Sequence, residues 1–169
     1  MASVPPPLVL PDASTRAGIL ARMLLNECRS PAYATYNAAQ TVISRRRMSI
    51  VLYNRMKPAN YKLFGASGPN MQAVVQAPGQ FAGFASYPTL STGVANNIKA
   101  ILDIANNLSD ARSPAYRTHV QSAIDVGNAN AVADPSPGQL TFWRTAGSSA
   151  PGGSAKFFET YNFHDYYYI

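Results

Sequence analysis

Cysteine and glutamate are scarce in this chain of 169 residues: Cys28 is its only cysteine, and Glu27 and Glu159 are its only glutamates. A single cysteine excludes an intramolecular disulfide framework and a zinc site built from cysteines. The two histidines, His119 and His164, are too far apart in sequence for a metal motif of the His-Glu-x-x-His type. The sequence therefore predicts neither a metal site nor a cofactor.

The sequence also shows no long apolar run and no recognisable secretory leader. No segment approaches the roughly 18 consecutive apolar residues of a membrane span, so no span is predicted. Residues 1–11 contain four prolines and no basic residue, which is unlike a signal peptide and typical of a stiff, extended segment. We therefore expect a proline-rich lead-in over 1–11 and a single domain over 12–169, since a domain usually takes about 100–200 residues.

Positive charge is in surplus, with 14 Lys and Arg against 8 Asp and Glu, a net charge of +6 and a pI near 9.6. Such a surplus predicts an anionic partner, and nucleic acid, anionic lipid and the anionic polymers of a bacterial wall all qualify. The only block of like charge, Arg45–Arg47, is interpreted as a solvated helix face, with a binding patch as the alternative. Because no basic and aromatic recognition module is found, nucleic acid is not the predicted partner.

Four segments are predicted to be helical, three of them from their caps and apolar spacing and the segment 32–57 from its lack of glycine and proline. Asp12 or Ser14 is the predicted cap of the first helix, Ser91 or Thr92 that of the third, and Ser113 that of the fourth. Prolines stop the first two segments, because a residue before proline is pushed out of the helical region. The predicted bounds are 12–29, 32–57 as one helix or two, 92–108 and 113–127.

The C-terminal part of the chain is predicted to form strands. Residues 140–145 and 156–163 are rich in β-branched and aromatic side chains, and the glycine-rich residues 147–154 between them predict an exposed hairpin loop. Residues 59–90 are rich in Gly, Pro, Asn, Gln and aromatics, and an irregular stretch of this length is usually functional. The predicted fold class is α+β and mainly helical, with a small C-terminal β-hairpin or sheet.

Glu27 occupies an unusual position for so rare a residue. On the first helix it follows Met23 by four residues and Leu20 by seven, so it shares their buried stripe. Burial and the carbonyl groups of a helix end both raise the pKa of a carboxyl group. A carboxyl that stays protonated near neutral pH is what a general acid requires. The alternative is a glutamate at the rim of the core, paired with Arg22 or Arg29.

Five short blocks occur in a fixed order between residues 19 and 158: LARMLLNECR, VLYNRMK, GQFAGF, DPSPGQLTFW and AKFF. Together they resemble the SleB-like cell wall hydrolases of the spore cortex-lytic type. Members of that family carry a helix ending in a Gly-Glu-Ala-Arg-like motif, a later Asn-Arg, a Gln-Phe-Ser-Trp-like loop, an Asp-Pro-Thr-Gly-Gly-Ala-like turn and a closing aromatic strand. The resemblance implies a lysozyme-like core.

The resemblance also implies a reaction. It makes residues 12–169 a catalytic domain that cuts the β-1,4 bond between N-acetylmuramic acid and N-acetylglucosamine, with Glu27 as the catalytic glutamate. Asn26 and Cys28 flank Glu27 where the family has Gly and Ala. Ordinary glycosidases need two carboxyl groups, whereas a lytic transglycosylase needs one, because the 6-hydroxyl of the muramic sugar attacks C1. A chain with so few carboxylates is therefore predicted to be a lytic transglycosylase.

Further residues are predicted to bind the sugar chain. The resemblance places Gln80 and Phe81 in the substrate groove and Asp134 at the turn before the final hairpin. Asn54 is predicted to join Gln80 in hydrogen bonding to acetamido groups, and Tyr87 to join Phe81 in packing against sugar rings. Asp134 has two interpretations, a second catalytic carboxylate or a cap for backbone N–H groups of its turn.

Two alternatives to a transglycosylase remain: a hydrolysing muramidase, and a wall-binding or partner-binding module without catalysis. The expected partners are peptidoglycan glycan strands and, if the protein is a secreted toxin or a phage lytic component, an immunity or delivery protein. We expect it to act at the bacterial cell wall, in the periplasm or outside the cell. Without a visible signal peptide, it would arrive there by a non-classical or secretion-system route, or the sequence would lack its leader.

Overall fold

The computed structural model describes residues 4–169 and has an α+β fold, as predicted. The helices are α1 (Arg16–Glu27), α2 (Ala38–Arg55), α3 (Met71–Val75), α4 (Thr92–Asn106) and α5 (Ser113–Asn128), with a short 3-10 helix at Tyr61–Phe64. The strands are β1 (Leu140–Thr145), β2 (Lys156–Tyr161) and β3 (His164–Tyr168). The helices of residues 4–169 are all too short or too polar to cross a membrane.

Helix α1 is the central element of the helical body. Its cap is Thr15, whose hydroxyl accepts a hydrogen bond from the N–H of Gly18 at 3.0 Å, and not Asp12 or Ser14 as predicted. Asp12 instead accepts hydrogen bonds from the backbone and hydroxyl of Ser14, one turn earlier. Helix α5 crosses α1 at Gly127, where an added Cβ atom would lie 2.8 Å from the carbonyl oxygen of Ala17. Glycine therefore sets how closely these two helices approach.

Helix α2 is shorter than the predicted segment 32–57, because Asn37 caps it and the preceding residues form turns. Its basic block is neither a solvated face nor a binding patch. Arg45 is completely buried and hydrogen-bonds to His119, and Arg47 forms an ion pair with Glu159. Within this block only Arg46 is exposed.

The sheet differs from the predicted hairpin in its topology. Its order is β1-β3-β2 and all pairs are antiparallel, so β1 and β2 both flank β3 and do not pair with each other. The run 156–163 is broken at Asn162 and Phe163, whose φ angles of 46° and 67° reverse the chain into β3. Loop 147–154 therefore connects the two outer strands and is not a hairpin loop.

The other predicted elements are found close to their predicted positions. Ser91 caps α4 as predicted. Ser113, the predicted cap of α5, is instead its first residue and donates a hydrogen bond to the carbonyl of Ala105 at 2.8 Å. The lead-in packs on α4, since Leu8 exchanges backbone hydrogen bonds with the Asn106 side chain at 2.7 and 3.0 Å. The helical body thus holds α1 at its centre, with the sheet against α2.

Candidate functional site

Glu27 is the last residue of α1 and is partly buried. Its Oε2 atom accepts a hydrogen bond from Nε1 of Trp143 at 3.4 Å, and its Oε1 atom accepts one from Nδ2 of Asn26 at 3.2 Å. Burial raises the pKa of the Glu27 carboxyl, and the hydrogen bonds from Trp143 and Asn26 offset only part of that rise. The group therefore holds its proton to a higher pH than an ordinary glutamate does.

The interpretation of Glu27 as an ion-paired residue at the core rim is wrong. Arg22 donates from Nη1 to the carbonyl groups of Pro11 and Gly18, at 2.8 and 2.9 Å. Arg29 donates to the hydroxyl of Thr35 at 3.0 Å, and its guanidinium lies over the ring of Phe163. None of the salt bridges within residues 4–169 includes Glu27.

Glu27 borders two openings, one on each side of the end of α1. We call the larger one the Glu27 cleft; its volume is about 270 Å³. It is lined by Glu27, Arg55, Gln80, Phe81, Ala82, Trp143, Arg144, Thr145 and His164. The smaller opening, of about 120 Å³, lies between the end of α1 and α4 and includes Asn26, Cys28, Tyr33 and Asn97. Glu27 thus lines both openings.

Gln80 and Phe81, which the resemblance assigned to the substrate groove, lie in the Glu27 cleft. The ring of Phe81 packs against the indole of Trp143, with centroids 5.3 Å apart and the planes tilted by 30°. Gln80 is exposed, and its Oε1 atom accepts a hydrogen bond from Nη1 of Arg55 at 3.0 Å. The irregular segment between α3 and α4 therefore supplies one wall of the cleft, and β1 supplies another.

Arg55 is a cleft residue that the sequence analysis did not identify. It ends α2, is only 4% exposed, and donates from Nε to the carbonyl of Thr141 at 2.7 Å. Its guanidinium lies 4.4 Å from the ring centroid of Phe64 and 5.2 Å from that of Phe81. Burial lowers the pKa of Arg55 to about 10, so the side chain remains charged at neutral pH. The Asn-Arg block pointed to this position, but only the structure shows the burial.

Asn54 and Asp134 lie outside the Glu27 cleft, which corrects the prediction that they bind sugar. Nδ2 of Asn54 donates to Oδ2 of Asp134 at 2.6 Å and to the carbonyl of Leu140 at 2.8 Å. Asp134 also accepts from the N–H groups of Ser136 and Leu140, at 3.0 and 2.7 Å. Burial alone would raise the pKa of Asp134, but these hydrogen bonds lower it overall. Both side chains fix the turn before β1, and Asp134 is not a second carboxylate of this cleft.

Tyr87 is a core residue, so the prediction that its ring packs against sugar is also corrected. Its side chain is 2% exposed, its ring stacks on Phe84 with centroids 6.0 Å apart, and its hydroxyl donates to the carbonyl of Ala13 at 2.6 Å. These contacts hold the irregular segment onto the lead to α1. Tyr87 therefore supports the wall of the cleft from behind.

His164 is a second cleft residue that sequence analysis missed, because it follows a chain reversal that no glycine signals. It is 8% exposed, and burial lowers its pKa, so the ring is neutral at neutral pH. Its Nδ1 atom is buried without a hydrogen-bond partner among residues 4–169. Over the same residues, no three His, Cys, Asp or Glu side chains are grouped closely enough to hold a metal ion.

The arrangement offers one proton donor, a buried cation and an aromatic wall. Glu27 is the only carboxyl group among the described residues that line the two openings. Comparison with protein families, with characterised proteins and with solved structures finds no match to this chain. The resemblance to SleB-like hydrolases therefore stays a prediction that rests on the five sequence blocks.

Proposed function

We propose that this protein is a lytic transglycosylase that cleaves the β-1,4 bond between N-acetylmuramic acid and N-acetylglucosamine in peptidoglycan. The observation that carries the proposal is the chemistry of the Glu27 cleft. A single carboxyl group, without a cationic partner among the described residues and with a raised pKa, borders a cleft with an aromatic wall. Such a group is suited to deliver a proton to a leaving oxygen near neutral pH.

One carboxyl group is sufficient for this reaction. Protonated Glu27 gives its proton to the glycosidic oxygen, and the bond between that oxygen and C1 of the muramic sugar breaks. The 6-hydroxyl of the same sugar then forms a bond to C1, and its proton passes to the Glu27 carboxylate. The product is a 1,6-anhydro sugar, no water is consumed, and Glu27 is protonated again.

The surrounding residues supply sugar-binding chemistry. The Phe81 and Trp143 rings form an apolar wall of the kind on which a sugar face packs, and the indole N–H keeps the Glu27 carboxyl oriented. Arg55 holds the oxygen of the Gln80 amide, which leaves the amide nitrogen of Gln80 to donate to an acetamido carbonyl. The net charge of +6 favours approach to the anionic wall polymer, at the periplasmic or outer side of a bacterium.

The deciding experiment is mass spectrometry of the fragments released from purified peptidoglycan by the protein and by Glu27→Gln. We expect anhydro fragments, lighter by one water than those of a hydrolysing enzyme, and their loss in the variant. Glu159→Gln is the matched control, because this glutamate pairs with Arg47 and does not line the cleft, and it should still release anhydro fragments.

Two other outcomes would contradict the proposal. Hydrated fragments that disappear with Glu27→Gln would make the protein a muramidase that uses water. No release by the wild-type protein would favour a wall-binding or partner-binding module.

If the protein is a secreted toxin, we expect an additional partner, an immunity or delivery protein that covers the Glu27 cleft.

A further inference from the structure

Arg55 carries a buried positive charge that no acidic residue within residues 4–169 neutralises. The hydrogen bonds that its side chain donates within residues 4–169 go to the carbonyl of Thr141 and the amide oxygen of Gln80, both uncharged. None of the salt bridges over those residues includes Arg55. Removing a guanidinium from water without a counter-ion costs several kcal/mol, and buried charges are usually paired. A missing counter-ion at a cleft points to the ligand.

A comparison with other arginines shows that this arrangement is specific to the cleft. Arg47 has Glu159 as its partner. Arg45 is as deeply buried as Arg55 and also forms no salt bridge within residues 4–169, but His119 and Ser122 enclose it and it does not line the Glu27 cleft. Arg55 combines burial, an absent counter-ion and a position on the wall of the Glu27 cleft.

The geometry of the guanidinium leaves donors for a ligand. The Nε and Nη1 atoms of Arg55 donate hydrogen bonds to the Thr141 carbonyl and the Gln80 side chain. The Nη2 atom makes no hydrogen bond to residues 4–169 and is not fully buried. The rings of Phe64 and Phe81 fix the guanidinium plane by cation–π contact. A planar guanidinium held in this way favours a carboxylate, which can accept two parallel hydrogen bonds.

Apart from Glu27, the other groups of the cleft supply no negative charge to Arg55. Arg144 adds a second positive charge, and His164 is neutral. Asp165 pairs with Arg144 in the sheet register, but its carboxylate accepts from Thr160 and the N–H of Gly147. With Glu27 protonated, the residues that line the cleft carry net positive charge and no negative charge.

We propose that Arg55 is a specificity-determining residue that binds a carboxylate of the glycan strand in the Glu27 cleft. The inference rests on the proposed function, because a peptidoglycan strand carries carboxylates whereas a chain of N-acetylglucosamine alone carries none. The carboxylate has two sources: the stem peptide, or the lactyl group of a muramic sugar that has lost its peptide. Arg55 would thus select muramic-acid-containing strands over neutral glycans of the same backbone.

The test is a binding measurement by calorimetry with the Glu27→Gln protein, so that the ligands stay intact. The ligands are soluble strand fragments with their stem peptides, fragments stripped of peptide, and both after conversion of the carboxylates to neutral methylamides. We expect neutralisation to weaken binding about ten-fold or more, as for loss of a charge-assisted hydrogen bond. Whichever untreated fragment binds more tightly identifies the source of the carboxylate.

Two second-site variants assign the effect. In Arg55→Met the neutralised and untreated fragments should bind alike, whereas Arg144→Gln, the matched control in the same cleft, should keep the preference. Equal binding of neutralised and untreated fragments to the Glu27→Gln protein would overturn the inference, even if Arg55→Met does not fold. A preference that vanishes only with Arg144→Gln would also overturn it.

The same set of experiments separates this inference from the proposed function. If wild-type protein releases no fragments but the carboxylate preference is found, the reaction is wrong and the Arg55 site stands. If anhydro fragments are released and the preference is absent, the reaction stands and the Arg55 site is wrong.

Discussion

Replacement of Glu27 by glutamine should stabilise the fold at neutral and alkaline pH while it abolishes catalysis. Burial raises the pKa of this carboxyl above its ordinary value of 4.5. As the pH rises above about 4.5, the unfolded chain releases the proton and the folded chain keeps it, so the wild-type fold loses stability until the pH passes the folded pKa. Glutamine has nearly the same shape and does not ionise, so the variant escapes this loss.

The magnitude follows from the size of the pKa difference. Each unit by which the folded pKa exceeds the unfolded one costs the wild-type protein about 1.4 kcal/mol of unfolding free energy at pH values above both. Below about pH 4 the carboxyl is neutral in both states, and the two proteins should be almost equally stable. The gain of Glu27→Gln over wild type should therefore grow as the pH rises above about 4.5 and should level off once the pH exceeds the raised pKa of folded Glu27.

The assay is urea unfolding followed by far-ultraviolet circular dichroism, because Trp143 contacts the mutated side chain and its fluorescence would change directly. Glu159→Gln is the control, since this second glutamate is paired with Arg47 and its loss should bring no gain at high pH. A Glu27→Gln gain that is the same at low and high pH would refute the reasoning. Glu27 would then not be desolvated, and it would not serve as an acid near neutral pH.

Two further substitutions test the groups outside the cleft. Burial and Arg45 lower the pKa of His119 to about 2, so protonation of this histidine in the unfolded chain should destabilise the wild-type fold as the pH falls below about 6.5, by up to about 1.4 kcal/mol per pH unit. When the unfolding free energy is measured at decreasing pH, His119→Gln should lose less stability per pH unit than the wild type. An unchanged dependence on pH would contradict the burial of a neutral His119 ring. Asp134→Asn should lower the unfolding free energy at neutral pH by about 1–3 kcal/mol, because it removes a charged acceptor of three hydrogen bonds. The deficit should shrink as the pH falls through the lowered pKa of Asp134, and unchanged stability in urea at neutral pH would count against its role in the turn.

The helices were predictable wherever a cap and a clear apolar spacing coincided. Ser91 caps α4 as predicted because the apolar residues that follow it recur at helical spacing. The start of α2 was not predictable from its lack of glycine and proline. Asn37 caps that helix, but an asparagine side chain also hydrogen-bonds to nearby backbone groups in turns, so its presence alone does not mark the start of a helix.

The sheet order could not be read from composition. Residues 156–163 contain no glycine or proline, yet the chain reverses within them at Asn162 and Phe163. Asparagine tolerates a left-handed backbone, but phenylalanine does not favour one, so the sequence gives only half of the turn signal. No strand is predicted from sequence over residues 164–168, whereas these residues form the central strand, in which Tyr166 is fully buried.

The candidate site was predictable in so far as it depends on one helix. Helical spacing alone places Glu27 on the buried stripe of α1, where burial raises its pKa. Of the two hydrogen-bond partners of Glu27, Asn26 is its neighbour on α1, but Trp143 comes from a distant segment that spacing within a helix does not reveal. Trp143 reaches the carboxyl from a strand 116 residues later, and the contact between Asn54 and Asp134 spans 80 residues.

Asn54 and Arg55 show why a motif places residues less finely than a structure does. Consecutive residues of a helix point about 100° apart, and the two members of the Asn-Arg block have different surroundings. Asn54 points to the turn before β1, and Arg55 points to the wall beside Gln80 and Phe81. The neutral side chain of the pair therefore stabilises the turn before β1, and the charged one lines the Glu27 cleft. A buried charge costs more than a buried amide, and Arg55, unlike the fully buried Arg45, lines a cleft that an anionic ligand could enter; this is the basis of the carboxylate site proposed above.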